Sequence, residues 1–122
     1  MANEITRVVS ITVSKGGASI SSGSISQTVD MAGVDMGTVT QSIGTSNEAL
    51  GVPADVTGDV HLVVKNLDSA NYVEIFKDSG NSHLLSKLAA GQVCSLANVP
   101  AASLYARANT AACQIQFWIT EA

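Results

Sequence analysis

Charged side chains are scarce in this sequence of 122 residues. Asp, Glu, Lys and Arg make up 13% of it, against about 25% in an average soluble domain. Ten acidic and six basic residues give a formal net charge of −4. Because a protein that binds nucleic acid needs a surplus of Lys and Arg to neutralise phosphates, this balance argues against a nucleic-acid partner. An apolar fraction of 46% also argues against a disordered chain.

Long apolar runs are missing as well. No run reaches the roughly 18 to 20 residues that a membrane span needs, and Glu4 places a negative charge where a secretory signal carries positive ones. The two cysteines, Cys94 and Cys113, lack CxxC spacing and lie in apolar, strand-like segments, which favours buried thiols in a reducing cytoplasm over a disulfide. We therefore expect a protein that is made in the cytoplasm, is not secreted and does not enter a membrane.

Motifs of catalysis and of cofactor binding are absent from the sequence. The segment 15–19 (KGGAS) lacks the order of a phosphate-binding loop. His61 and His83 are far apart and have no further ligand at metal-binding spacing. Asp55 and Asp59 lack the dense alternation of a calcium loop and are better explained as turn caps. We expect that the protein is not an enzyme, and the sequence assigns no catalytic, cofactor-binding or metal-binding residue.

Basic residues are unevenly distributed. Between Gly16 and Val64 there is no Lys or Arg, while five acidic residues lie in that stretch. This asymmetry fits either an acidic face that meets a basic partner or an ordinary solvated surface.

What the sequence does contain is the two-residue periodicity of strands. It is clearest between Ala112 and Thr120, where Phe117 and its alternate neighbours face one way and Trp118 the other. Other segments predicted as strands are 5–13, 60–65, 72–77, 84–88, 92–96 and 104–109. Turn signals separate the later strands about every 8 to 12 residues, which is typical of a β-sandwich or barrel. We also predict a hairpin turn at 109–111 and short helical turns at 47–50 and 100–103.

The predicted fold is all-β: one antiparallel β-sandwich domain over residues 1–122, jelly-roll-like, with a Gly/Ser-rich extended loop or arm. Residues 1–15 form its N-terminal strand, 16–55 the Gly/Ser-rich segment with irregular strands, and 56–122 the sandwich core. The middle segment contains seven of the ten glycines. Two interpretations of it stay open, irregular strands with a long loop or an arm that orders against a partner.

Aromatic residues are few, and their positions suggest an interface. If Phe117 faces the core, Trp118 faces outward, while Tyr72 and Phe76 share one face of their strand. Strands that are apolar on both faces are expected where another sheet or subunit covers them. We expect a homo-oligomer or a larger assembly, with the candidate interface residues Ile5, Arg7, Val9, Tyr72, Phe76, Tyr105 and Trp118.

Several segments resemble small virion-associated structural proteins of tailed bacteriophages. The similar segments are 3–6 (NEIT), 43–50 (IGTSNEAL), 63–75 (VVKNLDSANYVEI), 88–92 (LAAGQ) and 104–112 (LYARANTAA). The resemblance covers roughly residues 39–122 and consists of turn and strand residues that carry no chemistry. It implies a virion protein made in the host cytoplasm, and we expect a capsid decoration (cement) protein that binds the major capsid protein or another virion protein.

Under this hypothesis the N-terminal strand and the Gly/Ser-rich segment reach the neighbouring capsid surface, where the main chain adds a strand to an exposed edge. Two alternatives stay open. One is a head–tail, tail or fibre-base component of the virion. The other is a carbohydrate-binding β-sandwich module that uses Trp118, Tyr72 and Tyr105 as stacking platforms.

Overall fold

The computed structural model describes residues 4–31 and 33–122. Within them every regular element is a β-strand, apart from one turn of 3₁₀ helix at Ala101–Ser103. The prediction of an all-β protein with antiparallel sheets is therefore confirmed. The chain divides into two compact units between residues 32 and 33.

The first unit is a long antiparallel hairpin, which we call the arm. Its strands are β1 (Ile5–Val9), β2 (Thr12–Lys15), β3 (Ala18–Ser21) and β4 (Ile25–Val29). β1 pairs with β4, and β2 pairs with β3. The tip is a two-residue loop, Gly16 and Gly17, with φ angles of 59° and 84°. Positive φ at both positions defines the type I′ turn whose twist suits a hairpin, and glycine adopts it without strain.

The second unit is a sandwich of two four-stranded sheets. Its strands are β5 (Met36–Ile43), β6 (Glu48–Ala49), β7 (Asp59–Asn66), β8 (Val73–Phe76), β9 (Leu84–Leu88), β10 (Val93–Pro100), β11 (Tyr105–Ala108) and β12 (Cys113–Glu121). Sheet one has the strand order β10-β7-β12-β5 and sheet two the order β6-β11-β8-β9. Every connection except β8–β9 passes from one sheet to the other.

The core of the sandwich lies between the two sheets. β12 shows its pattern, because alternate residues from Cys113 to Glu121 are buried and those between them are more exposed. Phe117 is fully buried, whereas Trp118 is 41% exposed, as the periodicity predicts. Other large side chains of this core are Ile43, Leu62, Val64, Val73, Ile75, Leu104 and Ile115.

Three local predictions have different outcomes. The helical turn at 100–103 is present as Ala101–Ser103, but residues 47–50 contain the short strand β6 instead of a helical turn. The hairpin at 109–111 is wrong, because β11 pairs with β6 and β8 while β12 pairs with β5 and β7. Alternation shows which residues of a strand are buried, but not which sheet the strand joins.

The segment assigned to a Gly/Ser-rich loop or arm has two structural roles. Residues 16–29 complete the hairpin, and 36–49 supply β5 and β6. The sandwich therefore starts before residue 56, where the sequence analysis placed it. Glycine and serine weakened the alternation in these strands, so they were predicted as irregular.

Candidate interaction surfaces

The arm has one apolar face that is open to solvent. Partners in an antiparallel ladder lie on the same face, and the arm pairs Val9 with Ile25 and Val13 with Ile20. Ile25 is 57% exposed and Ile20 69%. The opposite face carries Val8 and otherwise the hydroxyl residues Thr6, Thr12, Ser14, Ser19, Ser21, Ser26 and Thr28.

A bulge in the middle of the arm keeps the two apolar pairs aligned. Val9 and Val13 are four residues apart, but their partners Ile25 and Ile20 are five apart, so the returning strand contains one extra residue. Gly23, with φ of 65°, lies in this interruption. In a regular strand, residues five apart point to opposite faces. The extra residue of the bulge cancels this reversal, so that Ile20 and Ile25 point to the same face. Both pairs therefore belong to one continuous apolar face.

Hydrogen bonds close the ladder across the bulge. The Ser22 amide donates to the Ile11 carbonyl at 2.9 Å, and the Ile11 amide donates to Ser22 Oγ at 2.9 Å. The serine hydroxyl thus takes the place of a backbone carbonyl. The hairpin is continuous from β1 to its glycine tip.

The outer face of sheet one carries an apolar groove of about 300 Å³. Its lining includes Met36, His61, Val63 and Trp118 with the hydroxyl residues Thr38 and Thr120. The strand register explains this grouping, because Trp118 is opposite Thr38 on β5 and Val63 on β7. Met36 is 66% exposed.

Charges lie at both ends of this groove. At one end Asp59 lies two residues before His61 on β7, on the same face of the strand. At the other end is Lys65, which pairs with Gln116. The groove is thus apolar in the middle and acidic at the end near Asp59.

The outer face of sheet two carries a second group of aromatic and charged side chains. Tyr105 is opposite Phe76, and the Arg107 guanidinium lies 5.3 Å from the centre of the Phe76 ring. Arg107 also donates a hydrogen bond to Glu74 at 3.1 Å. Phe76 is almost fully buried, whereas the Arg107 side chain is 39% exposed, so only the edge of this group is open to solvent.

The seven candidate interface residues are therefore distributed over three surfaces. On the arm, Ile5 is buried, Arg7 half-buried and Val9 exposed. The others lie in the sandwich, with Trp118 on sheet one and with Tyr72, Phe76 and Tyr105 on or beside sheet two. Tyr72 is half-buried, and the Lys87 ammonium lies 4.1 Å from its ring centre.

Trp118 shares no aromatic platform with the two tyrosines. It lies on sheet one, whereas Tyr105 is on sheet two and Tyr72 precedes β8 of the same sheet. The candidate stacking residues of a carbohydrate module are thus split between opposite sheets.

Two further acidic residues, Asp68 and Asp78, cap turns by accepting hydrogen bonds from backbone amides. Asp68 accepts hydrogen bonds from the Asn71 and Ala70 amides, which lower its pKa. The Ser82 hydroxyl is the main cause that lowers the pKa of Asp78 to about 2.

Among residues 4–31 and 33–122, no group of three His, Cys, Asp or Glu side chains could hold a metal ion.

Cys94 and Cys113 are free thiols, Cys94 half-buried and Cys113 buried. Burial raises the pKa of both thiols, so the thiolate, the reactive form, is disfavoured.

The groove and two buried polar anchors, Asn66 and Glu121, were not predicted from the sequence. Glu121 accepts hydrogen bonds from the amides of Val34, Asp35 and Thr57. Within β12, Glu121 occupies a position that the alternation assigns to the apolar core. A charged residue at a core position was the only feature of the sequence that could have indicated a buried polar anchor. The groove combines three strands distant in sequence, so no local pattern indicates it.

The described part of the chain contains no helix long and apolar enough to span a membrane. No protein-family model, curated protein or solved structure matches this chain.

Proposed function

We propose that this chain is a structural protein of a tailed-bacteriophage virion, most specifically a capsid decoration protein that binds and stabilises the major capsid shell. The observation that carries the proposal is the arm, because it exposes Val9, Val13, Ile20 and Ile25 on one face. An isolated two-stranded hairpin is at best marginally stable in water. Such an element is suited to a protein whose working state is an assembly.

The sandwich supports the same proposal. Eight strands in two sheets, with nearly every connection crossing between them, favour a jelly roll, an architecture found in viral capsid and lectin domains. Fold alone does not assign function. The functional class in this proposal comes from the resemblance of residues 39–122 to virion proteins, and the fold is compatible with that class.

The low charge of the chain favours a crowded assembly over a free monomer. Only 13% of the residues are charged, and apolar side chains are exposed on both the arm and the groove. Apolar patches of this kind mark interaction sites. Many copies on a shell would bury them by symmetry.

Copy number in purified phage particles tests the proposal. Quantitative mass spectrometry would measure this chain against the major capsid protein. A decoration protein is expected at a ratio of roughly one third or more, since closed symmetric shells use repeated contacts. A ratio of a few per cent would instead favour a head–tail, tail or fibre-base component. Absence from the particle would overturn the virion assignment.

A deletion tests whether the arm contributes to shell binding. Removing residues 1–31 leaves the sandwich strands intact, so we expect a folded protein that no longer binds capsids stripped of it. The circular dichroism spectrum and a cooperative melt provide the folding control. Unchanged binding by the folded variant would exclude the arm from the capsid contact.

A carbohydrate-binding role is the second candidate, and the groove at Trp118 is the observation that favours it. An exposed indole flanked by Thr38 and Thr120 provides an apolar face and hydroxyl partners for a sugar. Because the chain contains one tryptophan, its fluorescence reports on this groove. A saturable change with one glycan class would support the module, and a flat response across a broad panel would reject it.

A further inference from the structure

We propose that the apolar face of the arm binds the Trp118 groove of a second copy of this chain. The contact rests on the proposed function: it names a second copy, besides the capsid protein, as a partner of the arm, and it would join neighbouring copies in a coat. Its failure would be separable from that of the virion assignment, which copy number tests independently.

The two surfaces are complementary in polarity and size. The arm offers the pairs Val13–Ile20 and Val9–Ile25, and the groove offers Met36, Val63 and Trp118. A cavity of about 150 Å³ holds one benzene-sized group. A groove of about 300 Å³ therefore accommodates one or two aliphatic side chains, which is what one cross-strand pair supplies.

Charge favours a copy of the same chain as the partner. The face of the arm that carries Val9 and Val13 also presents Arg7 and Lys15, both basic, while the acidic residues Glu4 and Asp30 lie just outside the paired strands. Residues 33–122 contain eight acidic and four basic residues. A basic face of the arm and an acidic sandwich attract each other when they belong to different copies. Identical surfaces, such as two arms face to face, would bring like charges together.

The positions of the charges also select an orientation. Lys15 lies two residues beyond Val13 on the same face of the arm, and Asp59 lies two residues beyond His61 on β7. Two residues of a strand span about 6.7 Å. If Val13 and Ile20 enter the groove, Lys15 reaches the end with Asp59 and points away from Lys65.

Self-association of the full chain tests the contact. Sedimentation velocity from low micromolar concentration to about 1 mM, the weak end of specific affinities, is expected to show concentration-dependent oligomers. The emission of Trp118 should shift to shorter wavelength as they form, because the arm would cover the indole. A chain that stays monomeric over this range would overturn the proposal.

Matched variants locate the two halves of the contact. V13D/I20D places two carboxylates on the apolar face and should weaken association at least tenfold. S14D/S19D places the same charges on the hydroxyl face of the same ladder and should associate normally.

In the groove, M36K should weaken association to a similar extent. V34K adds the same charge at an exposed position outside the groove lining and should leave association unchanged. Equal effects of each test variant and its control would contradict the assignment.

A mixing experiment distinguishes arm-to-groove binding from other modes. The V13D/I20D chain keeps an intact groove, and the M36K chain keeps an intact arm. Each alone should be monomeric, but an equimolar mixture should form a complex containing both. Pairing between two arms would leave M36K associated on its own, and pairing between two grooves would leave V13D/I20D associated; either result would overturn the proposal.

Discussion

The side-chain amide of Asn66 joins the two sheets by donating to the carbonyl of Leu88 at 3.0 Å. Asn66 ends β7 in sheet one, and Leu88 ends β9 in sheet two. The same Nδ2 also donates to the Asn71 carbonyl at 2.9 Å, and Oδ1 accepts from the Asp68 amide at 2.9 Å. Asn66 is fully buried, so it fixes the turn at 66–71 and closes one end of the sandwich.

Replacing Asn66 by Leu should destabilise the sandwich by about 3 kcal/mol, because buried carbonyl and amide groups lose their partners. Urea unfolding followed by circular dichroism would measure the loss. Gln114→Ala, an exposed change on β12, should stay within about 0.5 kcal/mol of the wild type. A neutral Asn66→Leu would show that water or backbone rearrangement replaces these hydrogen bonds.

Phe117 and Trp118 are neighbours with opposite roles. Phe117→Ala empties a fully buried site and should cost about 3–5 kcal/mol in the free energy of unfolding. Trp118→Ala should cost clearly less at concentrations where the chain is monomeric, because its side chain is 41% exposed. Chemical denaturation of both variants at low concentration provides the comparison. Equal losses would mean that the outer groove contributes as much to the fold as the core.

Glu121 makes the stability of the sandwich depend on pH. Backbone hydrogen bonds, first from Thr57 and then from Asp35, lower its pKa from the ordinary value of 4.5. A carboxylate with a lowered pKa stabilises the folded state above pH 4.5, and this contribution is lost as the pH falls through the folded-state pKa.

Thermal melts of the wild type and Glu121→Gln between pH 7 and pH 3 test this effect. At pH 7 the variant should melt lower by roughly 5 °C or more, since its amide presents a donor to backbone N–H groups. The difference between the two proteins should shrink as the pH falls below 4.5. A constant difference would assign the loss to packing instead of charge.

Gly33 tests how closely the chain approaches the Glu121 side chain. A Cβ atom at this position would overlap the Glu121 carboxylate, so Gly33→Ala should cost about 1–3 kcal/mol through overpacking. At Gly44 the nearest atom to an added Cβ is 3.9 Å away, and Gly44→Ala serves as the control. Denaturant midpoints of the two variants should separate accordingly, and similar midpoints would indicate that the segment around Gly33 shifts freely.

The arm depends on its glycine tip. Gly17 has φ of 84°, and Gly17→Val should weaken the local hairpin by about 1 kcal/mol because a β-branched residue is strained there. Hydrogen exchange of the arm amides should then accelerate roughly fivefold. Amides of the sandwich provide the internal control and should exchange at wild-type rates. Unchanged exchange in the arm would mean that the tip does not limit its opening.

The sequence by itself determined the all-β class of the fold and, where alternation is clear, which residues of a strand face the core. Alternation depends on the pleat of a strand, which is local, so the burial of Phe117 and the exposure of Trp118 were predictable. The hairpin turn at Gly16 and Gly17 is also a local feature, because two consecutive glycines favour a type I′ turn. They were nevertheless predicted as the start of a loop or arm.

Only the tertiary structure decided which strands pair. Adjacent strands such as β11 and β12 join different sheets, because the hydrogen bonds of a ladder form between any two strands whose edges meet. For the same reason Met36, Val63 and Trp118 meet in one groove although they lie far apart in the chain. The buried anchors Asn66 and Glu121 follow the same rule, since their partners come from distant segments. Local periodicity therefore determined where the clearly alternating strands lie and which of their residues are buried. The pairing of strands distant in sequence determined the surfaces that the proposed assembly would use.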